Sequence, residues 1–125
     1  MSSGSASLPS SRPKTRLLDI AENAQTILEY TAGMDRDAFE KDRRTRDATE
    51  RCLSRISEAA VKLGAQAEAM LPQHPWRQIR DLGNIIRHVY DNLDGEIVWS
   101  IIVERLPVLL ADAKEAAGRL PDDGS

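Results

Sequence analysis

His88 is the side chain of this sequence best suited to proton transfer. An unperturbed imidazole titrates near neutral pH, so it can take or give a proton during a reaction. Around it, Arg77, Arg80, Asp81, Asn84, Arg87 and Asp91 recur along Trp76–Asp91. At about 100° per residue these polar groups share one side of a helix, opposite Ile79, Leu82, Ile85, Ile86 and Val89, with Gly83 and Tyr90 at the border. The chemistry such a group could perform is RNA cleavage without a metal. His88 would take the proton of a 2′-hydroxyl, and Arg80 or Arg87 would hold the phosphate and steady its developing charge. By residue type alone, a histidine beside an arginine is more often plain surface, so this segment needs a wider pattern behind it.

Other chemistries find little support. Cys52 is the only cysteine, which excludes an internal disulfide and a multi-thiolate metal site and marks it as a small core residue. His74 and His88 are fourteen apart, with no HExxH-type spacing, so a metal enzyme is not expected. The chain has neither a glycine-rich phosphate loop after a strand nor a G-x-S-x-G turn. A net charge of -3 and a pI near 5.4 argue against non-specific duplex binding. They leave room for a local basic cleft, and most of the basic residues are arginine, the better phosphate clamp. The uncharged apolar run Ile97–Val103 is too short to span a bilayer, and the opening MSSGSASLPSS lacks the apolar core of a secretory signal. A cytoplasmic location is the expectation, with no membrane partner and no cofactor.

The elements that must position this segment are all helical. At 125 residues the chain has the size of one domain. Residues 1–13 are Ser-rich and read as a disordered leader, 14–120 as the helical domain, and 121–125 as a loose tail. The spacing of Leu17, Ile20, Ala21, Ala24, Ile27 and Leu28 predicts a first helix over Lys14–Ala32, closed by Gly33, with Tyr30 packing. Asp35 caps a short turn, Arg36–Lys41, anchored by Phe39. A second long helix is expected over Arg44–Met70, with Ala48, Cys52, Ile56, Ala60, Leu63, Ala67 and Met70 as its seam. Its charged face, which includes Arg51, Arg55, Glu58 and Lys62, reads first as solvated and self-paired, and second as phosphate-facing. Pro75 suits the first turn of a third long helix, Trp76–Asp91. Asp94 or Gly95 opens a further helix burying Ile97, Val98, Ile101 and Ile102, and Pro107 starts or kinks the last one. No segment alternates with period two. The expected architecture is an all-α antiparallel bundle of four to five helices. Trp76 and Trp99 are read as core anchors, not base-stacking platforms.

The span Lys14–Leu120 resembles the HepT-like toxins of the HEPN superfamily. The resemblance rests on RLLDIAENAQTILEYTAGM, DAFEKDRRTRDATERCLSRISEAAVKL and HPWRQIRDLGNIIRHVYDNLDGEIVWSIIVERLPVLL. Within them, Pro75-Trp76, Asn84, His88-x-Tyr90, Asp94, Trp99 and Leu106-Pro107 fall in that family's order and spacing. The resemblance implies an HEPN-type bundle forming a symmetric homodimer, with an endoribonuclease site that acts on RNA, tRNA being the class. It implies catalytic roles for His88, Asn84 and an arginine, and a minimal nucleotidyltransferase antitoxin that attaches AMP to Tyr90. Bulk and negative charge at Tyr90 would repel RNA from a phosphate groove. One departure stands out: the family places an arginine directly before the asparagine, and here Gly83 precedes Asn84. Either Arg80 or Arg87 restores the guanidinium, or the site is weakened and the dimer serves as a nucleotide- or partner-binding regulatory module. A purely structural docking module is a further alternative.

Overall fold

The computed structural model describes residues 11–84 and 95–123. Helix α1 runs Pro13–Tyr30, α2 Arg36–Lys41, α3 Arg43–Leu63, α4 Ala65–Met70 and α5 Trp76–Arg80. After them come α6 at Gly95–Ser100, a π-helical turn at Ile101–Arg105, and α7 at Leu106–Gly118. Among the described residues every regular element is helical, and no helix is long and apolar enough to cross a membrane.

Helix α1 is the central member and packs on α3 and α7. Its stripe of Leu17, Ile20, Ala24 and Ile27 is fully buried, as the three-and-four spacing demands. From α3 it meets Leu53, Ile56, Ala60 and Leu63, and from α7 Leu109, Ala113 and Ala117 belong to the same core. Cys52 is buried among them, and that burial pushes its thiol pKa up. Phe39 closes one end of the core, its ring 5.5 Å from that of the half-buried Trp99. Asp35 caps α2 by accepting the Ala38 N–H at 2.8 Å, and Asp42 caps α3 by accepting that of Thr45 at 3.1 Å.

Several expectations change at helix ends. Pro13 is not the end of a leader but the first residue of α1, where a missing N–H costs nothing. The second long helix is not continuous to Met70. It stops at Leu63 because Gly64 takes φ 58° and ψ -142°, a conformation costly for any residue with a Cβ. The third long helix is likewise divided: α5 ends at Arg80, Asp81 forms a turn, and helical backbone resumes over 82–84. Its remaining stretch lies outside the described residues. Among those described there are seven bounded α-helices, because long periodic segments are interrupted.

Tyr30 is about half exposed, at 51%, since Thr31 turns the chain away and takes the buried position itself. Ile97 is also exposed, at 45%, while Val98 and Ile102 are buried and Ile101 is partly covered. The π-helical turn before Pro107 has a simple cause. Proline lacks an N–H and its ring crowds the carbonyl four residues earlier, and the wider turn, with Leu106 N–H bonded to Ile101 O, relieves that crowding. At the other terminus, residues 121–123 are held against α1. Asp123 accepts the backbone N–H groups of Lys14 and Thr15, and Lys14 Nζ pairs with Asp122 at 3.0 Å. Two orphan donors at the start of α1 thus find a carboxylate.

Candidate functional site

Helix α5 carries the start of the candidate segment, and three contacts fix it. Trp76 is buried and its Nε1–H donates to Leu71 O at 2.7 Å, so the indole is both filler and clamp. Ile79 faces the core beside it. Ser57, one of the few buried polar residues, donates its hydroxyl to the Arg80 carbonyl and so ties the end of α5 to the middle of α3.

The Arg80 guanidinium is already engaged. It forms a two-pronged pair with Glu68, Nη1 to Oε2 at 2.8 Å and Nη2 to Oε1 at 2.5 Å. Nη2 also donates to Gly64 O at 2.8 Å and Nε to Ala60 O at 3.4 Å. These two carbonyls lie at the C-terminal end of α3, where a cation is favoured; Ala60 O also accepts the backbone N–H of Gly64, and Gly64 O that of Ala67. Arg80 therefore caps α3, bridges to α4 and orients α5. The pair shifts both partners: Arg80's hydrogen bonds hold Glu68 below the usual carboxylate range, and Glu68 raises Arg80 further.

Asn84 is exposed, and its Nδ2 donates to Asp81 Oδ1 at 2.7 Å across the turn. Gly83, in the place of the resembled family's arginine, has open space around the position of a Cβ among the described residues. Arg87, His88 and Tyr90 lie outside the described residues, so of the candidate site the structure places Arg80 and Asn84. It sets them at the two ends of the turn at Asp81, with Arg80 turned to α3 and Asn84 to solvent.

Sequence reasoning passed over a second histidine. His74 and Asp112 are joined by a 2.7 Å hydrogen bond between Nε2 and Oδ2, and Gln73 Nε2 donates to the same oxygen at 3.2 Å. The His74 ring stands edge-on to Trp76 at 6.0 Å. The hydrogen bond from His74 holds Asp112 below the ordinary carboxylate range. This pair latches α7 to the turn that starts α5. Thirty-eight residues separate the partners, and no local spacing connects them. The described residues also line a cavity of about 490 Å³ between α5, α6 and α7, mainly with Ile79, Leu82, Ile101 and Leu106. His74 is among its polar members. Among the described residues, no cluster of three or more His, Cys, Asp or Glu is placed to hold a metal ion.

Comparison with known proteins covers most of the chain. The family profile "Ribonuclease HepT-like" matches residues 20–116. "Putative RNase MJ0127" of Methanocaldococcus jannaschii is 32% identical over 108 residues, covering 86% of this chain and 89% of that protein. "Probable ribonuclease HepT" of Thermococcus cleftensis is 30% identical over 96 residues, 77% of this chain and 87% of its own. "Putative RNase MJ1380" of Methanocaldococcus jannaschii is 32% identical over 94 residues, 75% of this chain and 86% of its own. No solved structure matches this chain. The all-helical architecture, the helices set around α1 and a profile match spanning nearly all of them establish that the chain belongs to the HepT-like ribonuclease family of the HEPN superfamily.

Proposed function

We propose that this protein is a metal-independent endoribonuclease, acting on RNA of the tRNA class as the toxin of a toxin–antitoxin pair. The observation that carries the reading is the family match over residues 20–116, which takes in the His88-x-Tyr90 pair within one frame. His88 takes the proton from a ribose 2′-hydroxyl. That oxygen attacks the adjacent phosphorus, the bond to the 5′-oxygen breaks, and the leaving oxygen receives a proton from the second His88 of a two-fold dimer. The products are a 2′,3′-cyclic phosphate and a 5′-hydroxyl. No cofactor is needed.

Arg87 is the cation this reading assigns to the phosphate, because Arg80 is committed to Glu68 and the end of α3. Asn84 supplies an amide beside it. The partner is a minimal nucleotidyltransferase antitoxin, which silences the enzyme by attaching AMP to Tyr90 in the cytoplasm. A second reading is favoured by the absence of an arginine at Gly83 together with the engagement of Arg80. It is a catalytically weakened dimer that binds a nucleotide or a partner as a regulatory module.

Incubation of the purified protein with total tRNA in EDTA separates them. Cut products ending in a cyclic phosphate, abolished by His88→Ala and by Arg87→Ala, are expected. No product from the wild type at any concentration tested refutes the nuclease reading and leaves the regulatory one. Mass spectrometry for AMP on Tyr90, after co-expression with the neighbouring nucleotidyltransferase, tests the silencing.

A further inference from the structure

On the opposite flank of α3 from Arg80, a polar cleft of about 310 Å³ opens between α1 and α3. Its walls are Arg16, Asp19 and Asn23 from α1, and Arg55, Glu58 and Lys62 from α3, with Ala59 between. The spacings of three and four place each set on one stripe of its helix, so the two stripes face each other across the groove.

Three cations meet two carboxylates here, and the cations are poorly served. Glu58 is taken by Lys62 at 3.1 Å. Arg16 Nη1 is 3.7 Å from Asp19, too far for a hydrogen bond, and Arg16 Nε is buried with no acceptor among the described residues. A buried guanidinium donor left unmade is expensive, which is why such groups are rarely found unpaired. Asn23 Nδ2 spends its donor on Asp19 O within α1. Arg55 has neither an ion pair nor a side-chain hydrogen bond among the described residues, and it is exposed at the cleft. Two arginines thus line one hollow that, among the described residues, offers them no complete set of acceptors. A tetrahedral oxyanion supplies those acceptors, and arginine binds it in two-pronged fashion.

We infer that the α1–α3 cleft binds a phosphate group, held by Arg16 and Arg55 with Lys62 beside them. At about 100° per residue, Arg55 and Lys62 lie roughly half a turn around α3 from Ser57 and Ala60, which face α5. The cleft is therefore on the other side of α3 from α5 and Arg80. It engages either a backbone phosphate of RNA or a free phosphate or nucleotide.

The test is the ¹⁵N–¹H spectrum of the arginine Nε–H groups in the full chain carrying His88→Ala, which stops any cleavage during titration. Inorganic phosphate, AMP and a single-stranded oligoribonucleotide are added in turn. Saturable shifts of the Arg16 and Arg55 signals are expected. Movement with all three marks a general phosphate site, with the oligonucleotide alone a backbone site, and with phosphate and AMP alone a small-ligand site. Arg55→Ala should weaken binding about tenfold, the loss of one charge-assisted contact. For RNA it should also lower the slope of log K against log salt by about 0.7. Arg55 and Lys62 are exposed, so their alanine variants keep the fold, verified by a melt. Unmoved Arg16 and Arg55 signals with every ligand overturn the inference, as does binding that survives Arg55→Ala and Lys62→Ala unchanged. Because cleavage is not read, absence of nuclease activity in the wild type would refute the proposed function and leave this result standing.

Discussion

Replacing Arg80 by alanine should destabilise the protein without removing the reacting groups, and the structure fixes how much. The 2.8 Å bond from Nη2 to Gly64 O is charge-assisted and partly shielded, since the Arg80 side chain is only 25% exposed. Its loss costs about 1.5–2 kcal/mol. The longer contact to Ala60 O and the favourable charge at the end of α3 add roughly 0.5 kcal/mol. The pair with Glu68, half exposed on the carboxylate side, adds about 0.5 kcal/mol after solvent screening. The sum is about 2.5–3 kcal/mol, or a fall in Tm of roughly 10 °C for a domain of this size. Thermal and urea melts of wild type, Arg80→Ala, Glu68→Ala and the double variant would measure it, with a pairwise coupling of about 0.5 kcal/mol expected. Nuclease activity per folded molecule should fall no more than a few-fold in Arg80→Ala, whereas Arg87→Ala should lose about a hundredfold or more. An Arg80→Ala protein that melts with the wild type yet has lost its activity would refute the anchoring role and return Arg80 to the reacting phosphate.

Three other perturbations follow from the same geometry. Gly83→Arg restores the family's arginine in open space and removes a helical glycine, so it should raise stability by about 0.5–1 kcal/mol and increase cleavage of tRNA; unchanged cleavage would mean that Arg87 already fills the role. Gly64→Ala meets no neighbour within 4 Å but must hold φ 58° and ψ -142°, so a urea melt should show a loss of about 1–3 kcal/mol from backbone strain alone. Asp112 has its folded pKa depressed by the bond from His74, so its contribution is present above about pH 4 and disappears as pH falls through the folded value. Asp112→Asn should accordingly be less stable than wild type at pH 7 and lose less between pH 5 and pH 2, read by melts across that range.

Periodic burial was legible without any coordinates. The spacing of Leu17, Ile20, Ala24 and Ile27 could mean only a helix with one dry face, and Asp35 before Phe39 announced its own cap. The helical class and the burial of Trp76 and Cys52 were read from the same local rules. Interruptions were not legible, because a single glycine inside a strong pattern is tolerated as often as it breaks a helix. Only the backbone of Gly64 shows that the helix stops there, which leaves the Ala60 and Gly64 carbonyls within reach of the Arg80 guanidinium.

Residue type and order also singled out His88, Arg80 and Arg87, since proton transfer and phosphate binding depend on what a side chain is, whereas Asn84 and Tyr90 took their roles from the family resemblance. What each arginine is free to do depends on what lies beside it across the chain. Glu68 claims Arg80 from another helix, Asp112 claims His74 at a separation of 38 residues, and the donors of Arg16 and Arg55 are brought to one groove by the packing of α1 on α3. Those pairings carry no local signature, because a charge chooses its partner by distance in space and the folded chain sets that distance.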